Sequence, residues 1–255
     1  MRLLKIDIIK KHLLSYDYRA ALEVGKDIKD DISVEAYNWL ETAAARAVLD
    51  WERMNKYLPK GNGVVTSIKT DDIKRSLFEY TLILDLKLRR GEYADFVRAF
   101  TPLGVDLMEA VIEQFCGIKI SDYYKGKNSA KQWNQRKLEG SEVLSLLQGD
   151  FLTFRFGPVY SIQLVNVIEA RCSDDLLKQR ARELVAVEQN TRNIAAHNIV
   201  SVTEDWVKEQ TGKSVSEIMW IIKYICSRVK INTREENWNS YDIMNNHIIN
   251  ILDEQ

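Results

Sequence analysis

The sequence predicts an all-α protein, and three observations carry that expectation. Proline and glycine number only 3 and 11 in 255 residues, too few for the many turns of a sheet-rich fold. Apolar residues recur at three- and four-residue intervals through most of the chain, the period of a helix with one buried face. Capping residues stand in front of several of these runs: Asp17, Asp174, and Ser214 with Glu217 three positions on.

Taken in order, the first helix carries Leu4, Ile8, Leu13 and Leu14 as its apolar face. Asp17 caps a second, with Ala20, Ala21 and Val24 spaced for close packing. A third starts near Ser33 and runs through Trp39, Ala43, Val48 and Trp51 towards Leu58, where Pro59 to Gly63 break the pattern. Asp71 and Asp72 begin the next helix and Gly91 ends it, after two arginines that suit a helix C-terminus. The helix that follows from Glu92 is expected to kink or divide at Pro102 before resuming towards Cys116.

Residues 118–140 read as a basic linker loop. Lys119, Lys125, Lys127, Lys131, Arg136 and Lys137 alternate there with Tyr123, Tyr124 and Trp133. Such a loop can track a single nucleic-acid strand by charge and stacking; equally, its aromatics can pack on the domain below. Helices are then expected over 141–148 and 161–171, followed by a long one capped by Ser173 and Asp174 and carrying Leu177, Ala181, Leu184 and Val185. The Ser214–Glu217 capping box precedes an apolar run expected to lie buried centrally or against a partner chain. Ser240 caps a last helix with Met244, Ile248 and Ile251 on one face. Three segments result: helical hairpins over 1–117, the basic linker over 118–140, and a compact helical bundle over 141–255.

Composition excludes several classes. Apolar residues make up 45% and charged residues 29%, which is globular rather than disordered. The formal net charge is −1, so any contact with nucleic acid must be local. Cys116, Cys172 and Cys226 are odd in number and far apart, pointing to neither a zinc site nor a disulfide framework. Each is expected to be a small buried hydrophobe, as suits a reducing cytoplasm. Charged amphipathic sequence after Met1 does not read as a signal peptide, and no run of about 18 apolar residues suggests a membrane span.

The segment Arg192-Asn193-Ile194-Ala195-Ala196-His197 is the most informative in the chain. On a helix Asn193 and His197 are four apart and share a face. Arg192 lies about 100° round the axis, within sweep of that face. His197 has an intrinsic pKa near neutrality and can accept or donate a proton. Arg192 offers planar cationic donors to phosphoryl oxygens, and Asn193 can orient the imidazole or hydrogen-bond a phosphate. The trio suits attack of an RNA 2′-hydroxyl on its adjacent phosphate. No carboxylate cluster with Mg²⁺ spacing lies beside it in sequence, so neither metal nor other cofactor is expected. Lys178, Arg180 and Arg182 precede it by about three turns and can help hold RNA phosphates, or form a solvated face. His12, His247, Trp206 and Trp220 read as packing or surface residues, the tryptophans as core or dimer-interface aromatics.

This hexapeptide, late in a long helix of an all-α bundle, resembles the signature of the HEPN ribonuclease superfamily. Two upstream blocks narrow the resemblance. Tyr16-Asp17-Tyr18-Arg19-Ala20-Ala21-Leu22 and the stretch from Leu86 to Phe96 resemble the helical connector and HEPN region of the Csm-type ancillary ribonucleases of type III-A CRISPR systems. The resemblance implies a connector over 1–117, a HEPN domain over 141–255, and metal-independent endonucleolytic cutting of single-stranded RNA in antiviral defence. It also implies a homodimer in which Arg192, Asn193 and His197 of two copies face each other across a two-fold axis. Members of this family read cyclic oligoadenylate through a Rossmann-like sensor domain. No βαβ pattern or Gly-rich turn occurs before residue 30, so that ligand is expected to act only through a sensor domain absent from this chain. Two other readings fit the same residues: a non-catalytic helical RNA- or protein-binding module, and a HEPN toxin of a toxin–antitoxin pair.

Overall fold

A computed structural model of the chain describes residues 2–66, 72–126, 131–149, 154–197 and 201–254, with the backbone alone described for 192–197. The described residues are all-α. In chain order the helices are α1 (Arg2–Leu14), α2 (Tyr18–Lys26), α3 (Val34–Ala47), α4 (Trp51–Tyr57), α5 (Ile73–Arg89), α6 (Tyr93–Val111), α7 (Gln135–Leu138), α8 (Glu142–Gln148), α9 (Ser161–Arg171), α10 (Asp175–His197), α11 (Glu204–Thr211), α12 (Val215–Arg228) and α13 (Ser240–Asp253). The only sheet among the described residues is an antiparallel pair, β1 (Tyr124–Lys125) with β2 (Gln132–Trp133), in which Tyr124 faces Trp133.

They pack as two compact units: 1–86 together with 234–255, and 87–233. This division differs from the expected boundaries at 117 and 140. Two non-local facts underlie it. Helix α13, at the far end of the chain, packs on α1 and α3, and α6 packs on α9, α10 and α12.

In the first unit α1 buries Ile6, Ile9 and Leu13, while Leu4 and Leu14 are exposed. The buried face is therefore rotated from the expected one; leucines and isoleucines lie on more than one side of α1, among Lys5, Asp7, Lys10 and Lys11, so the helix it meets decides which are covered. Asp17 caps α2 by accepting from Ala20 N at 3.1 Å. The expected third helix is two. Leu49 adopts a left-handed φ of 61°, and Asp50 caps α4 by accepting from Arg53 N at 3.1 Å. Neither Gly nor Pro marks that break. At the other end of the unit, α13 buries Met244, Ile248 and Leu252, and His247 meets the edge of Trp39 with ring centroids 4.9 Å apart. His247 is thus a packing residue.

In the second unit α10 lies against α6, α9, α11 and α12. Helix α6 runs unbroken through Pro102 to Val111 and widens only afterwards, into a π-helical turn over Ile112–Cys116 ended by Gly117 at φ 68°. The missing proline N–H is outweighed by burial of Phe100, Leu103, Leu107 and Val111 on both sides of it. The basic segment is not an open loop where it is described. Lys131 is tucked between Asp106 (2.5 Å) and Glu109 (2.9 Å). The Tyr124 hydroxyl donates to Glu109 at 3.0 Å, and buried Trp133 donates to Gln163 at 2.8 Å. Burial alone would pull the Lys131 ammonium down; the two carboxylates outweigh it and hold it well above its usual range. Lys127 lies outside the described residues. Of the rest, Lys119, Lys125, Arg136 and Lys137 are exposed.

Candidate active site

The site helix is fixed from its first turn. Asp174 precedes α10 and accepts from Leu177 N at 3.0 Å, and Arg228 of α12 donates to its other oxygen. Those donors hold the Asp174 carboxyl below the usual range, the backbone bond from Leu177 most strongly, despite some opposing burial. Leu177, Ala181, Leu184, Glu188 and Thr191 then follow at intervals of four, three, four and three, and all five are buried. This is one stripe of a helix facing its neighbours.

That stripe sets the register of the motif. Arg192, Asn193 and His197 all lie within α10, but their side chains fall outside the described residues. By backbone register positions 193 and 197 fall on the side of α10 opposite the stripe from Leu177 to Thr191. Position 192 falls at the edge of the stripe, one turn beyond Glu188. Positions 193 and 197 are thus one turn apart, and position 192 lies about 100° round the axis from 193. Nothing in the sequence sets Glu188 apart from the other acids of this helix; its 4% exposure comes from the fold.

The three upstream cations are all engaged locally. Lys178 pairs with Asp175 (3.5 Å), Arg180 with Glu183 (2.7 Å) and Arg182 with Glu169 (2.9 Å). Arg180 also lies over the Trp220 ring, 5.0 Å from its centroid. Trp220 itself is 52% exposed and stacked on Tyr224, so of the two roles expected for it, core or dimer-interface aromatic, the core one does not hold. The capping box of α12 is present: Ser214 Oγ accepts from Glu217 N, and Glu217 accepts from Ser214 N at 2.7 Å. Cys172 and Cys226 are buried and Cys116 is half-buried; all three are free thiols. Burial, reinforced by Cys172, pushes the Cys116 thiol up to about 11. Among the described residues no group of three or more His, Cys, Asp or Glu is arranged to hold a metal ion, and no helix is long and apolar enough to cross a membrane.

Comparison with known proteins places this architecture. Residues 65–249 match the Cas_Csm6 HEPN domain, and residues 1–47 match the CRISPR-associated protein Csm6 6H domain. Both matches set their limits differently from the packing units, since the first ends inside α13. The chain is 26% identical over 257 residues to the CRISPR system endoribonuclease Csm6 of Mycobacterium tuberculosis, covering 96% of this chain and 54% of that protein. Its fold is similar to that of Enterococcus italicus Csm6 bound to cyclic hexa-2′-fluoro-hexa-dAMP, with a TM-score of 0.71 at 14% identity, over 98% of this chain and 57% of that one. The chain thus spans little more than half the length of the relatives it matches.

Proposed function

The chain belongs to the Csm6 HEPN family, and on that premise we propose that it is a metal-independent endoribonuclease that cuts single-stranded RNA in type III CRISPR antiviral defence. His197 removes the proton from a 2′-hydroxyl or delivers one to the leaving 5′-oxygen. The 2′-oxygen attacks the adjacent phosphorus, the bond to the 5′-oxygen breaks, and the products are a 2′,3′-cyclic phosphate and a free 5′-hydroxyl. Arg192 neutralises charge on the phosphoryl oxygens as it builds, and Asn193 orients the imidazole or holds the phosphate. A second copy of the chain, meeting the first through an isologous contact, supplies the facing set of the same residues. Lys178, Arg180 and Arg182 lie on the same helix and extend the reading to RNA phosphates further along the strand, once their present carboxylate partners give way.

The observation that carries the reading is the register of α10. Positions 193 and 197 lie one turn apart on one helix, whose preceding turns from Leu177 to Thr191 are buried against four others. A general base and its orienting neighbour need such a fixed spacing.

The chemistry is tested on a single-stranded RNA in EDTA, beside the same strand with one 2′-deoxynucleotide at the cut site. Expected are cleavage of the first with 2′,3′-cyclic phosphate ends and no cut at the deoxy position. Cleavage at the deoxy position, or loss of all cleavage in EDTA with recovery on adding Mg²⁺, contradicts the mechanism.

A further inference from the structure

A third stretch of backbone lies along the β1–β2 pair. Trp133 N donates to the Gly157 carbonyl at 2.9 Å, Val159 N donates to the Lys131 carbonyl at 3.0 Å, and Gln132 stands opposite Pro158. Successive side chains of such a layer alternate between its two sides. Tyr124, Lys131, Trp133 and Val159 form the inner side. There Trp133 and Val159 are buried, and Lys131 and the Tyr124 hydroxyl take up the carboxylates of α6. Lys125, Gln132 and Pro158 form the outer side, and all three are exposed. Phe156 and Tyr160, two residues to either side of Pro158, are each 38% exposed, and Arg155 is exposed beside them. The Phe156 ring is nonetheless held in place. It meets Phe154 with centroids 5.2 Å apart, and Phe154 in turn meets buried Trp133 at 5.9 Å.

A lone exposed ring calls for no explanation, but this outer side sets rings among cations. Residues 118–140 hold six cations and two carboxylates in a chain of net charge −1. Asp106 and Glu109, the carboxylates that reach the layer from α6, are engaged on its inner side. Positive charge with aromatic rings complements a single strand of nucleic acid, whose phosphates meet the cations and whose unpaired bases stack on the rings. The place fits as well. Ser161, which follows Tyr160 and begins α9, donates its hydroxyl to Glu188 of α10, one turn before position 192. The layer therefore adjoins the part of α10 that leads into the Arg192–His197 segment. We propose that this outer side is a binding track for the RNA strand beyond the cut, in which Phe156 and Tyr160 stack on bases and Lys125 and Arg155 pair with phosphates. The identity of the strand rests on the ribonuclease reading. Stacking on a ring face tolerates every base, so the track holds the substrate without choosing its sequence. The two expectations for the basic segment are then divided between its two sides: its own aromatics pack inward, and the strand is met outward.

Binding is read apart from cleavage, by fluorescence anisotropy of a fluorescein-labelled single-stranded RNA on the His197→Ala protein, with Lys125→Gln, Arg155→Gln and Phe156→Ala added singly and together. Phe156→Ala should weaken binding by about 5- to 100-fold. Each cation removed should lower the slope of log Kd against log salt concentration by about 0.7, a change that a merely structural role would not produce. With His197 intact, the loss should appear in KM rather than in kcat. An unchanged Kd and salt slope in the triple variant overturns the inference. So does a change in sedimentation of the protein with RNA binding unaltered, which would make the face a contact between copies of the chain. Wild-type protein that binds the strand through these residues but does not cut it in EDTA overturns the ribonuclease reading and leaves the track in place. Circular dichroism establishes that each variant is folded; should Phe156→Ala not fold, Phe156→Leu, which keeps apolar bulk and loses the ring, is judged by the same Kd.

Discussion

Arg46 and Glu79 are both fully buried and meet in a two-pronged ion pair, Nε to Oε2 at 2.8 Å and Nη2 to Oε1 at 3.1 Å. The pair links α3 to α5, and the same guanidinium reaches α13 by donating to Ser240 Oγ at 2.8 Å and lying 4.2 Å from the centre of the Tyr241 ring. Arg75 adds a second cation on Glu79 at 2.9 Å. One buried carboxylate thus gathers three helices from both ends of the chain. Glu79→Gln is expected to leave two guanidinium groups uncompensated and to destabilise the first unit by about 3–5 kcal/mol. Urea denaturation followed by far-ultraviolet circular dichroism measures it; a loss below about 1 kcal/mol would mean that the ion pair is replaceable.

The close approach of α2 and α3 makes a second prediction. A Cβ on Gly25 would sit 2.6 Å from Leu40 Cδ1, and Leu40 is 1% exposed with little room to retreat. Gly25→Ala gains about 1 kcal/mol of helix propensity but forces the pair apart. The clash is expected to dominate, with a net loss of about 1–2 kcal/mol. Adding Leu40→Val should recover part of it, and thermal unfolding of the single and double variants decides.

The cap of the site helix titrates. Because the Asp174 carboxyl is held below its usual range, the stability it contributes is fully present above the unfolded value of about 3.9. It drains away as pH falls through the lower folded value. Asp174→Ala should therefore cost about 1 kcal/mol at pH 7, with the difference from wild type shrinking below about pH 3.9. Asp174→Asn, which caps without a charge, should show a smaller deficit at pH 7 that likewise shrinks below about pH 3.9, as the wild-type carboxyl takes up its proton. Melting curves at a series of pH values check both.

The raised Cys116 thiol predicts chemical inertness. Little thiolate forms at neutral pH when the group titrates near about 11. Alkylation of Cys116 by iodoacetamide at pH 8 should be much slower than that of a free thiol such as glutathione, followed by mass spectrometry of the intact chain. Rapid modification of the folded protein would show the thiol to be more open than its surroundings indicate.

What was legible in the sequence was local. The Ser214–Glu217 box, the Asp17 and Asp174 caps and the Gly91 terminus each depend on residues within one turn, and each is found where it was expected. The break at Leu49 was not legible, since a left-handed leucine has no compositional signal. The continuity of α6 through Pro102 was hidden for the opposite reason: the local rule against proline is overridden by packing on other helices. The unit to which α13 belongs depends on Leu13, whose carbonyl accepts from Asn245 across 232 residues of sequence. The same distinction runs through the site. Arg192, Asn193 and His197 stand out as a string of letters, whereas the enclosure of Glu188 comes from Ser161 and Gly104, which the fold alone brings to it.

The central claim is that one imidazole and one guanidinium on α10 act on the same phosphodiester. The most direct test is cleavage of single-stranded RNA in EDTA by wild type, His197→Ala and Arg192→Ala, each purified identically and checked for an unchanged circular dichroism spectrum. The account predicts a loss of about 10²- to 10⁴-fold for His197→Ala, and a comparable loss for Arg192→Ala. Cleavage by either folded variant at the wild-type rate would contradict it.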